Sequence, residues 1–115
     1  MIVGSADPSV APVEILVWMT GQGGYTPEKA LGKSTEYAVI NGGLYDKYRR
    51  SKLVWYVPRM GMFNYGGDLF LFLNDSLTSS DISIDDYVHK VQAVTEIITA
   101  NDARFTVSNF SAQIL

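Results

Sequence analysis

An α+β domain, in which an antiparallel β-sheet is followed by a C-terminal amphipathic helix, is what this sequence predicts, and three observations predict it. Short β-branched and aromatic runs separated by glycine, asparagine and proline fill the first two thirds of the chain. Apolar residues at helical spacing follow from Ile84. A length of 115 residues, 47% of them apolar, suits one hydrophobic core. Only 18% of the residues are charged, too few for a disordered chain.

The first strand is Val13-Glu14-Ile15-Leu16-Val17-Trp18-Met19, with Val13, Ile15, Val17 and Met19 on one face. Gly21-Gln22-Gly23-Gly24 breaks it. Thr26 and Pro27 then offer an N-cap and a first helical position for one turn, which Gly32 ends. Thr35 to Asn41 reads as a second strand, stopped by Asn41-Gly42-Gly43, which supplies the positive φ of a turn. Leu44 to Arg49 has no firm assignment. In Ser51 to Val57, Leu53, Trp55 and Val57 share one face and Lys52, Val54 and Tyr56 the other, and Pro58 ends the strand. Gly61 to Gly67 is a loop. Asp68 to Asn74 alternates leucines with Asp68, Phe70, Phe72 and Asn74, and is expected to be a strand covered on both faces. Ser83 and Asp86 resemble a capping box ahead of Ile84, Tyr87, Val88, Val91, Val94, Ile97 and Ile98, the apolar stripe of one long helix. The tail after residue 102 is a short second helix or an extended arm.

Composition excludes several function classes. Without cysteine there is no disulfide, thiolate metal site or cysteine nucleophile. No apolar run exceeds five residues, far short of the ~20 of a membrane-spanning helix, so no membrane partner is expected. The first basic residue is Lys29, so a signal peptide is not expected either. Gly32-Lys33-Ser34 resembles the end of a phosphate-binding loop, but Pro27 stands where the first glycine belongs. Gly21-x-Gly23 is followed by Thr26, where the later glycine of a dinucleotide loop is required. His89, the single histidine, lacks the company of a metal site, and no metal or cofactor is expected. Asp85 and Asp86, adjacent on the expected helix, diverge by roughly 100° and do not form a glycosidase acid/base pair. The chain therefore reads as a binding or self-associating protein, not an enzyme.

Charge is divided along the chain. Residues 1–65 carry seven basic and five acidic side chains, and residues 66–115 two and seven. Lys47, Arg49, Arg50, Lys52 and Arg59 fall within thirteen positions, enough for a local field that attracts a polyanion. Lysine and arginine neutralise phosphates and an exposed tyrosine stacks on unpaired bases, so the basic turn leading to Tyr56 is a candidate RNA contact.

The order basic turn, strand ending at proline (Tyr48 to Pro58), Gly-rich loop, Leu69 to Leu73, polar linker, Ser83 to Ala100 and a short tail resembles the coat proteins of single-stranded RNA bacteriophages, across residues 35–115. That resemblance implies an interlocked dimer whose C-terminal helices cover the partner's sheet, assembling into an icosahedral shell around single-stranded RNA. It implies a virion protein made in a bacterial cytoplasm. Dimer-interface positions would be Leu53, Trp55, Leu69, Leu71, Leu73, Tyr87, Val88, Val91, Val94 and Ile98. RNA-facing positions would be Lys47, Arg49, Arg50, Lys52, Tyr56, Phe72 and Asn74. The alternative is a small dimeric module for RNA or another acidic partner, without a shell. A doubly apolar strand beside one helix also leaves more apolar surface than a monomer of this size easily covers.

Overall fold

The structure is a computed structural model and describes residues 1–18, 32–59, 66–93 and 112. The expected helical turn at Thr26 to Leu31, residues 61–65 of the expected loop, Val94, Ile97, Ile98 and the tail apart from residue 112 lie outside the described residues. Six strands form one sheet: β1 (Ile2–Gly4), β2 (Val13–Val17), β3 (Glu36–Ile40), β4 (Gly43–Arg50), β5 (Leu53–Pro58) and β6 (Tyr87–Lys90), in the order β3-β4-β5-β2-β1-β6. The sheet is mixed, because β2 runs parallel to β5 while every other pair is antiparallel. One helix, α1 (Phe70–Thr78), joins it among the described residues.

Local chemistry sets both hairpins. Ile40 pairs with Gly43 across Asn41 (φ 50°) and Gly42 (φ 78°), the two successive positive φ values that a right-twisted two-residue hairpin requires. Arg50 pairs with Leu53 across Ser51 (φ 54°) and Lys52 in the second. The unassigned stretch Leu44 to Arg49 thereby becomes the central strand of a β3-β4-β5 meander.

Leu69 to Leu73 is not a strand. With every residue apolar, alternation carries no information about period, and the wider spacing decides. Leu69, Phe72, Leu73 and Ser76 recur at i, i+3, i+4 and i+7, and this stripe lies on the sheet while Phe70 and Leu71 face solvent. Asp68 starts the helix by accepting the Phe70 N–H at 2.9 Å. Ser80, at φ 63°, ends it as Asp81 N–H reaches back to the Ser76 carbonyl at 2.8 Å.

The long C-terminal helix is also absent where it is described. Asp86 does accept the Ser83 N–H at 2.8 Å, as a capping box would, but Asp86 N–H closes onto the Ser83 carbonyl at 3.0 Å and the chain turns. It leaves as β6, pairing with β1. The β-branched residues Val88 and Val91, stiff at χ1, weaken a helix here, and an open sheet edge competes for their backbone. Val88 meets Val3 in register and packs on the core, while Tyr87 and Ile84 are exposed.

The core lies between α1 and one sheet face: Val3, Ile15, Ala38, Ile40, Tyr45, Val54, Tyr56 and Phe72. Phe72 meets Tyr45 and Tyr56 edge-on, each at 5.3 Å between ring centres. The helix of the same chain therefore covers this face of the sheet, where the coat-protein resemblance placed the helices of a partner.

Candidate functional site

Strand alternation gives the sheet two faces of different chemistry. On the covered face Lys47 lies buried, its ammonium 2.8 Å from both Asp75 and Asp81 and 3.1 Å from Ser79 Oγ. Arg49 pairs with Glu36 and Asp81 at the margin. Tyr56 O–H donates to Asp75 at 2.7 Å, and its oxygen lies 2.7 Å from Ser76 Oγ. These contacts clamp α1 to β4 and β5.

This network absorbs much of the segment that suggested RNA. Lys47 is committed to two carboxylates, Tyr56 is fully buried and cannot stack on a base, and Phe72 is fully buried on α1. Arg49 is ion-paired, whereas Arg50, Lys52 and Asn74 are exposed, the first two at a hairpin and the third on the outer side of α1. Leu69 and Leu73 pack inward, Leu71 is exposed and Val91 half-buried. The two faces of β5 are the reverse of what the resemblance implied: Val54 and Tyr56 point to the helix, and Leu53 and Trp55 are half-buried on the opposite side.

Burial raises the Tyr56 phenol well above its ordinary pKa, helped by Asp75 and opposed by the Ser76 hydrogen bond, and burial also raises Tyr45. Below pH ~10 both states keep these protons; above it the unfolded chain ionises first, so Tyr56, whose shift is large, lowers stability by about 1.4 kcal/mol per pH unit, and Tyr45 acts in the same direction. Tyr56→Phe is expected to cost roughly 1 kcal/mol at pH 7 through lost hydrogen bonds, and to lessen the decline between pH 10 and 11. Urea midpoints at the three pH values check this.

The opposite face carries the candidate site. Glu14, on β2, alternates with buried Ile15, and its neighbours across the sheet are Ile2 on β1 and Leu53 on β5. Leu16 pairs with Trp55, and Trp55 with Tyr48, so aromatic rings stand on the two strands beyond Glu14. Among the described residues Glu14 makes no side-chain hydrogen bond or ion pair, unlike the other strand carboxylates Glu36 and Asp46, which are held by Arg49 and Arg59. The Met1 ammonium feels it: burial lowers that group's pKa, and the Glu14 charge pulls the other way. A half-buried carboxylate without a fixed partner, amid apolar and aromatic side chains, is available to a ligand. The signal was present in the sequence as a single acid inside the otherwise apolar run Val13 to Met19.

His89 is accounted for by structure, with Nε2 3.1 Å from the Ser5 carbonyl. Among the described residues no cluster of histidine and carboxylates could hold a metal, and no helix is long and apolar enough to cross a membrane.

Comparison with known proteins decides between readings. The chain is 30% identical over 119 residues to the xyloglucan-specific endo-beta-1,4-glucanase A of Aspergillus niger, covering 99% of this chain and 49% of that protein. It is 30% identical over 105 residues to the enzyme of the same name from Emericella nidulans (88% and 44%). It is 26% identical over 105 residues to the inactive glycoside hydrolase XLP1 of Phytophthora nicotianae (88% and 44%). This chain resembles glucanases. It spans about half the length of the curated relatives it matches. No protein-family model and no solved structure matches it.

These relatives overturn the coat-protein resemblance, and with it the capsid, the virion location, the small RNA-binding module and the non-enzymatic role. The relatives are fungal and oomycete proteins, and most bear the names of enzymes. The order of elements that suggested a coat protein rested on a strand at Leu69 and a helix at Ser83, neither of which forms.

Proposed function

We propose that the open sheet face binds β-1,4-linked glucan of the xyloglucan kind, in a glycoside hydrolase-like protein in which Glu14 is a catalytic carboxylate. The observation that carries the reading is Glu14 near the middle of that face, which makes no side-chain hydrogen bond or ion pair among the described residues, with Trp55 one strand away. It gains weight from similarity over nearly the whole chain to proteins named as xyloglucan endoglucanases.

Each group has a role that follows from its chemistry. Sugar rings present C–H faces that pack on an indole, so Trp55 seats one unit beside the reacting one. An ionised Glu14 stabilises the positive charge that develops at the anomeric carbon, or attacks it directly. A second carboxyl must protonate the leaving oxygen, ~5–5.5 Å away for retention of configuration or ~6.5–9.5 Å for inversion. Asp46 shares the face, but strand spacings put it roughly 16 Å from Glu14, too far for that part. Glu28, Glu96 and Asp102 are the acidic residues of this chain outside the described ones, and their Gln or Asn variants, made singly, test whether the chain itself supplies the acid.

The test is electrophoresis through gels with and without xyloglucan, joined to an assay of reducing ends released from the polymer. Retardation by xyloglucan is expected, and Trp55→Ala should weaken it roughly tenfold, the ~1.5 kcal/mol of a buried ring. A wild-type protein that is neither retarded by the polymer nor cleaves it would overturn the reading.

A further inference from the structure

We propose that Tyr37, Asp46 and Arg59 form a second sugar subsite at the far end of the open face, holding the same glucan chain several units from Glu14. This rests on the reading of that face as glucan-binding.

Three strands converge there. Tyr37 of β3 pairs in register with Asp46 of β4, which pairs with Val57 of β5, and Arg59 follows two residues later on the same face. Arg59 Nε donates to Asp46 Oδ1 at 2.8 Å, and the guanidinium carbon lies 5.7 Å from the centre of the Tyr37 ring. The acid thus fixes the cation, and the cation steadies the ring. Tyr37 is 65% exposed despite this ordering, so a phenol is presented outward beside a fixed donor and a fixed acceptor.

Charge and polarity select the ligand class. An anion would meet Asp46, and a purely apolar partner would strip water from an ion pair and return nothing. A neutral polyol satisfies both: its hydroxyls donate to the carboxylate and accept from the guanidinium, while a pyranose face covers the ring. Position selects the polymer. Glu14, Trp55, Tyr48 and Tyr37 lie on the adjacent strands β2, β5, β4 and β3, each displaced in one direction or level with the last, a diagonal of roughly 20 Å across the sheet. A linear chain bound at Glu14 and running along this diagonal reaches Tyr37.

Such a distal subsite adds affinity only to ligands long enough to touch it. The experiment measures binding of xyloglucan polymer, cellotriose and cellohexaose to wild-type protein and to Tyr37→Ala, Arg59→Gln and Trp55→Ala, all at positions not fully buried. Tyr37→Ala and Arg59→Gln should lower polymer and cellohexaose affinity three- to tenfold and leave cellotriose within twofold, while Trp55→Ala weakens every ligand that binds wild type. Tyr37→Ala and Arg59→Gln variants that bind polymer as wild type does, with Trp55→Ala impaired, would overturn the subsite and leave the proposed function standing. Equal loss for short and long ligands would also overturn it. A wild-type protein that binds no glucan takes both down.

Discussion

Replacing Glu14 by Gln is expected to lower the rate of xyloglucan hydrolysis on the order of 10²–10⁴-fold while leaving polymer retardation within about threefold. Gln keeps the shape of the side chain and removes the charge. In the proposed function, binding to the sheet face depends on rings and hydroxyl contacts that survive the change, whereas stabilising an oxocarbenium-like transition state depends on the charge that is removed. Glu36→Gln is the matched control, because Glu36 lies at the margin of the helix-covered face, engaged by Arg49. Its variant should hydrolyse within twofold of wild type. Reducing-end release from xyloglucan, measured at several substrate concentrations, separates a loss in kcat from a loss in binding. Wild-type turnover by Glu14→Gln would remove this residue from the chemistry. Binding without turnover in the unsubstituted chain would confine the protein to recognition.

Lys47→Met should destabilise the fold by about 3–5 kcal/mol, a large part of the ~5–15 kcal/mol available to a small domain. The Lys47 side chain is 3% exposed and its ammonium lies 2.8 Å from carboxylates of both Asp75 and Asp81. Met fills comparable volume, so the loss is electrostatic: Asp81, 7% exposed, and Asp75, 29% exposed, keep their charges without their shared cation. Arg49 still reaches Asp81 and limits the damage there. A fall in the urea midpoint at unchanged slope is the expected observation. The double variant Lys47→Met, Asp75→Asn should recover part of the loss, because it removes one of the two stranded charges. If the double variant is no more stable than Lys47→Met alone, the Lys47–Asp75 contact is not what docks α1.

The parts of the fold that could be read from the chain are those fixed by neighbours in sequence. Alternation in Val13 to Val17 and Leu53 to Val57 gave strands, and Asn41-Gly42 gave a turn, because each depends on local backbone and side-chain geometry. Leu69 to Leu73 misled because five consecutive apolar residues fit two periods, and only the inclusion of Ser76 on the buried stripe separates them. Ser83 to Asp86 misled for a different reason. The same side-chain-to-backbone hydrogen bond serves a helix start and an isolated turn, and the open edge of β1 was invisible from that segment.

The basic turn illustrates why sites are harder than elements. A run of Lys47, Arg49, Arg50 and Lys52 shows positive charge but not where its counter-charges lie. Asp75 and Asp81 are about thirty residues away and fold back onto two of these cations. Glu14 failed to stand out for the converse reason: a carboxylate open to a ligand is marked by what does not neutralise it, and that is a property of the assembled sheet.

The sequence by itself determined the strands β2, β3 and β5, the turn at Asn41-Gly42, and the alternation that puts Glu14, Trp55 and Tyr37 on the side of their strands opposite Ile15, Tyr56 and Ala38. Tertiary structure alone decided which of those two sides the helix covers, that β2 joins β5 in parallel, and which charges are spent on each other. The physical reason is range. Dihedral preference and side-chain period act within a few residues, whereas burial and ion pairing depend on segments that meet only after the chain has folded.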